Sequence, residues 1–165
     1  MERFQDLNER IAREQPNLLT FLSMKVWQEK NLENSIILEL GLLNKDIPKK
    51  EWNYMLQEME SFLIITKEQN LMFHFLFDTS HTDTVPLYLT YELSKVLNEH
   101  RSILKRHLHS TIILTNSSLV KKLVETALTL YSPVRPINIM QTDVSEANWD
   151  SLIKNFKENM RSRRR

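Results

Sequence analysis

The chain has 165 residues, 41% of them apolar and 26% charged, and its 22 Lys+Arg against 21 Asp+Glu leave a net charge of +1. That balance excludes a disordered chain, a collagen-like repeat and a membrane bundle, and sets one soluble globular domain as the expectation. The absence of cysteine excludes disulfides, thiolate zinc sites, iron–sulfur clusters and thiol catalysis. The single glycine, Gly41, cannot furnish a Walker A loop or a dinucleotide fingerprint.

No apolar run reaches the roughly 18 residues of a membrane span, and the charged N-terminus MERFQDLNERIAREQ is unlike a secretory signal. A cytoplasmic protein without a transmembrane segment is therefore expected. Near-zero net charge provides no field toward nucleic acid, and the basic residues are not interleaved with aromatics, so no specific nucleic acid is expected.

Phe4, Leu7 and Ile11 at helical spacing predict an amphipathic helix over 2–14, which with Pro16 forms a lead-in spanning 1–17. Two β-rich runs, Leu19 to Gln28 and Ser35 to Leu40, flank Asn31-Leu32-Glu33-Asn34 and predict an antiparallel hairpin. Asp46 is suited to cap a helix with Pro48 in its first turn and Trp52, Leu56, Met59 and Leu63 on its apolar face. Leu71 to Phe77 is a strand, and one long helix is predicted from Pro86 to Leu108.

Ser110 to Leu114 is the next strand, followed by a helix from Asn116 or Ser117 that ends before Pro133. A short strand, Ile137 to Met140, then leads to a last helix with Trp149, Leu152, Ile153 and Phe156 inward. Residues 18–158 form the predicted domain, and 159–165 a basic, disordered tail. The order predicts an α/β fold: a mixed sheet of about five strands, opened by a hairpin and continued by parallel βα repeats.

Strand alternation sorts the sheet into an apolar side (Leu22, Met24, Val26, Ile36, Leu38, Leu40, Phe73, Phe75, Phe77, Ile112, Leu114, Ile137, Ile139) and a mixed side. Helices are accordingly expected mainly on one face. Phe21, Trp27, Ile37, Met72 and Ile113 fall on the mixed side and make a candidate apolar ligand or partner face, to be covered by the first helix, a partner or a ligand.

This pattern resembles a STAS domain, in the divergent branch described as STAS/CRAL-TRIO-like, over roughly residues 20 to 157. The resemblance rests on the opening hairpin, the acid-ending strand FHFLFDTS, the unit HSTIILTNSSLVKKLVETALTLYSPVRPINI and the final helix entered through TDVSEANWDSL. It implies a non-enzymatic regulatory domain acting through a protein partner, of the anti-anti-sigma type. Its CRAL-TRIO-like side implies instead a small apolar-ligand (lipid) binding protein. In the anti-anti-sigma branch a phosphorylated Ser follows an Asp at the switch loop, and Asp83 with Thr84 would take those places here. Val85 and Pro86 depart from the motif's second hydroxyl residue and glycine.

Asp78, Thr79, Ser80, Asp83 and Thr84 thus form a candidate switch or interaction loop, at the carboxyl end of a strand where open α/β sheets place ligands. A phosphate on Thr84 would add about −1.5 to −2 charges beside Asp83 and could expel a partner. The same residue types also serve as ordinary helix caps. Ser117, Ser118 and Lys121 are a possible anion contact at a helix start, with capping again the plainer role. The five histidines lack an i,i+4 pair, so no metal and no cofactor is expected. A homo-oligomer is compatible with the chain.

Overall fold

The computed structural model describes residues 9, 21–33, 35–43, 46–82, 87–115, 118–127, 133–141 and 146–164. Among them lie strands β1 (Leu22–Glu29), β2 (Ser35–Leu42), β3 (Phe73–Asp78), β4 (Leu108–Thr115) and β5 (Ile137–Gln141). The helices are α1 (Lys49–Gln69), α2 (Leu87–Glu99), α3 (Arg101–His107), α4 (Ser118–Ala127) and α5 (Glu146–Arg164). Apart from Glu9, the helix expected over 2–14 lies outside the described residues.

The five strands form one sheet in the order β1-β2-β3-β4-β5, with β1 and β2 antiparallel and the remaining pairs parallel. The α/β class, the opening hairpin and the parallel βα repeats are therefore as the sequence predicts. Sequential strand order also dictates where the helices go. Right-handed crossovers taken repeatedly in one direction put every connecting helix on the same side of the sheet. Trp52, Met55, Met59 and Phe62 of α1, Leu89 and Leu97 of α2, and Ile103 and Leu104 of α3 share a core with Met24, Leu38, Leu40, Phe73 and Phe75. Phe62 and Phe75 each stand edge-on to Phe73, at 5.0 and 5.1 Å.

The opposite face is not left half open. Helix α5, which follows β5, lays Leu152, Ile153, Phe156 and Met160 over Ile37, Leu76, Ile112 and Leu114. Leu32, in the 3-10 turn Lys30–Leu32 of the hairpin, is fully buried at the edge of this second core. Asn138 on β5 donates from Nδ2 to Asn155 Oδ1 on α5 at 2.6 Å, tying helix to sheet.

Several expectations need correction. Ile112 and Leu114 belong to the α5 side and not to the face of Phe73 and Phe75, because the β3/β4 register shifts between Phe73 and Phe75. Phe73 faces Leu108 and Phe75 faces Thr111, so β4 holds His109 and Ser110 where β3 holds His74 alone, and the alternation beyond flips. The long helix is broken at His100, whose φ of −114° and ψ of 26° separate α2 from α3. Pro48 is itself the N-cap of α1, with no side-chain cap bond, so Asp46 does not take that role. Asn70, left-handed at φ 52°, closes the helix, with the Leu71 amide donating to Thr66 O. Finally, α5 continues through 159–164, part of the stretch expected as a disordered tail, and buries Met160.

Candidate functional site

On the helix-rich side, between the sheet and its covering helices, lies a partly open cavity of about 120 Å³. Its floor is Leu40 and Leu42 of β2, Phe75 and Phe77 of β3, Thr111 and Ile113 of β4, and Ile137 of β5. Its walls are Trp52 and Met55 of α1, Leu93, Ser94 and Leu97 of α2, and Val124 of α4, with Thr79, Pro133 and Arg135 at the loops. One water needs roughly 10–15 Å³ by the same measure, so this space exceeds a packing defect, and its apolar walls give water few partners. Thr79 donates its hydroxyl to Leu114 O at 2.6 Å and Ser94 donates to Thr90 O at 2.8 Å, so both hydroxyls are already engaged.

The five residues expected to line one apolar site are split by the sheet. Ile113 lines this cavity, and Phe21 packs against the same core. Trp27 and Ile37 lie on the far side beneath α5, and Met72 is half-buried just before β3. The β4 bulge is the reason for Ile113, since it turns Thr111 and Ile113 toward α1 and α2. Of the five, only Ile113 lines this cavity.

Asp78, Thr79 and Ser80 are brought together at the end of β3, all buried. The Asp78 carboxylate accepts the Ser80 amide at 2.9 Å and the Ser80 hydroxyl at 2.5 Å, and lies 3.5 Å from His81 Nε2. Thr79 gives both its amide and its hydroxyl to Leu114 O, and the Thr82 amide returns to Thr79 O. These groups fasten the loop to β4. Asp83 and Thr84, and with them the expected phosphorylation position, lie outside the described residues, as does Ser117. Ser118 and Lys121 are exposed on α4.

Immediately after that loop, α2 exposes Leu87, Tyr88 and Tyr91, each more than half accessible. At the other end of α2, Glu60, Glu99 and His100 bring ligand-type atoms within 4.8 Å of one another, with His100 Nε2 and Glu60 Oε1 3.3 Å apart. An imidazole with two carboxylates is a donor set that suits a zinc-type ion, and the same contact joins α1 to the α2–α3 break. Sequence spacing could not find it, because Glu60 and His100 stand 40 positions apart on different elements.

Beneath α5 the bulge assembles a buried histidine site. His74 is fully buried, stacks on His109 at 4.9 Å, meets the Phe156 ring at 4.5 Å and shares a 3.2 Å hydrogen bond with Ser110 Oγ through Nδ1. Its Nε2 has no partner. Burial, and next the nearby charge of His109, push its pKa down to about 3. On the same face, burial raises Glu39, opposed by the Lys25 charge, with Asp78 raising it further.

Among the described residues no helix is long and apolar enough to cross a membrane. Compared with family models, curated proteins and solved structures, the chain matches none.

Proposed function

We propose that this chain is a non-enzymatic binding protein for a small, largely apolar molecule, held between the sheet and helices α1, α2 and α4. The observation that carries this reading is the cavity of about 120 Å³ with its almost wholly apolar lining. A comparable dry cavity of about 150 Å³ holds benzene, so the space suits a body of about six non-hydrogen atoms. The CRAL-TRIO-like side of the STAS resemblance is supported only by the element order and by helices gathered mainly on one face.

Methyl-resolved NMR with 1-hexanol as the probe tests the reading. Saturable shifts at Leu93, Leu97, Ile113 and Val124, with Leu76, Ile112 and Leu152 unmoved, support it. Shifts that fail to saturate, or that spread through both cores, overturn it.

A second reading, a regulatory domain that works through a protein partner, is favoured by Leu87, Tyr88 and Tyr91 standing exposed next to the Asp78–Thr82 loop. A photo-crosslinker placed at Tyr88 should then capture one defined protein that the same crosslinker at exposed Ile64 does not. Equal capture from both positions would count against it.

A further inference from the structure

Adjacent residues of an unbroken α-helix point about 100° apart around its axis, so their side chains do not face each other. Glu99 and His100 escape that rule, because α2 ends at Glu99 and His100, at φ −114° and ψ 26°, interrupts the helix before α3. The break is held on both sides: the His100 amide donates to Leu97 O at 3.2 Å, and the His100 carbonyl accepts the Leu104 amide at 3.1 Å. The two side chains thereby converge on Glu60 of α1, and one ligand atom from each of the three lies within 4.8 Å of the others. Among the described residues neither Glu60 nor Glu99 forms a salt bridge with a lysine or arginine, and the neighbouring Arg101 donates to Asn98 Oδ1 at 3.3 Å.

We propose that Glu60, Glu99 and His100 bind a zinc-type divalent ion that clasps α1 to the α2–α3 break. Two ligands each about 2.0–2.1 Å from a tetrahedral ion stand about 3.3–3.4 Å from one another. His100 Nε2 and Glu60 Oε1 already stand 3.3 Å apart, beyond the roughly 2.9–3.0 Å usual for an N–H···O hydrogen bond. Glu99 is exposed, so rotation about its side-chain bonds carries its carboxylate to the third position. The imidazole selects zinc over magnesium and calcium, which take oxygen ligands. Two carboxylates balance the charge of the ion, and three protein ligands leave the fourth position to water. None of the three residues lines the apolar cavity, so this site stands or falls apart from the small-ligand reading.

Isothermal titration of the full chain with zinc chloride, and separately with magnesium chloride, tests the site. A single equivalent of zinc is expected to bind in the micromolar range, and magnesium about a hundredfold more weakly or not at all. His100→Ala should weaken zinc about a hundredfold and Glu60→Gln about tenfold or more, with Glu99→Gln several-fold. The competing pair is His81 with Asp78, 3.5 Å apart, and His81→Ala should leave zinc affinity unchanged. Imidazole nitrogen NMR of the unaltered chain locates the ion directly: zinc should move His100 Nε2 and leave His81 in place. That spectrum decides the matter even where a variant fails to fold. Absence of saturable zinc binding, equal binding of magnesium, zinc affinity indifferent to His100→Ala, or a shift confined to His81 each overturns the proposal.

Discussion

On one side of the sheet the crossovers deliver α1 through α4 and leave a cavity of about 120 Å³. On the other, α5 alone brings Ile37, Leu76, Ile112 and Leu114 to full burial. The difference follows from connectivity. Each crossover advances by one strand, about 4.8 Å, while a helix with its side chains is about 10 Å across. Successive crossover helices on one face therefore cannot all lie flat against the strands they join, and they splay. Among the described residues α5 joins no two strands, and its apolar stripe packs on the opposite face.

If that contrast is sound, deleting bulk should hurt far more beneath α5. Phe156→Ala removes a fully buried ring that touches His74, and is expected to cost about 3–5 kcal/mol in urea unfolding. Val124→Ala, at the cavity wall, should cost about 1 kcal/mol or less because part of its surroundings is already empty. Similar costs at the two sites would break the comparison.

Acid separates the two sides next. His74 has a native pKa of about 3 against an ordinary 6.5, so the unfolded chain binds the proton first. Its contribution is complete above about pH 6.5 and is lost as pH falls toward about 3, at roughly 1 kcal/mol per pH unit. His74→Gln, which does not titrate, should flatten that slope in unfolding curves taken between pH 6 and pH 4. The cavity side should show no matching change when Ser94 or Thr111 is altered.

Adding bulk reverses the order of harm. Ser94→Leu places an apolar side chain toward unoccupied space and should stabilise the protein by about 1 kcal/mol while weakening 1-hexanol binding. Ile37→Phe, pushed into a side chain with no exposed surface, should destabilise by about 1–3 kcal/mol. Opposite signs in thermal melts would sharpen the contrast; a stabilising Ile37→Phe would end it.

The fold was largely legible and the site largely was not, for reasons that particular residues make plain. The hairpin alternates cleanly through Leu22, Met24 and Val26 against Ile36, Leu38 and Leu40, and the register pairs Met24 with Leu40 and Val26 with Leu38. In β4, by contrast, Ile112, Ile113 and Leu114 run consecutively because both faces are covered, so alternation cannot say which parity faces α1. The extra residue at His109 and Ser110 then decides it, and a bulge without glycine or proline leaves no local mark. The break at His100 is silent for the same reason. Leu152, Ile153 and Phe156 marked the inner stripe of α5, yet an amphipathic stripe does not say which face of a sheet it will meet. Trp52 read as an ordinary core residue, and its unused Nε1–H becomes visible only once its neighbours are known.

A comparably small effect is expected where the cavity meets the loop. Thr79→Val keeps the branched shape that lines the cavity and removes only the hydroxyl that donates to Leu114 O at 2.6 Å. The Thr79 amide still donates to that same carbonyl at 2.9 Å, so no buried acceptor is orphaned and the loss should be about 1 kcal/mol. Because the new methyl makes the wall more apolar, 1-hexanol should bind as well as before or slightly better. A loss of several kcal/mol would mean that the hydroxyl, and not the paired backbone, fastens the Asp78–Thr82 loop. The open end of the cavity would then owe its shape to one side chain, unlike the core beneath α5, which four buried apolar residues of the helix share with four of the sheet.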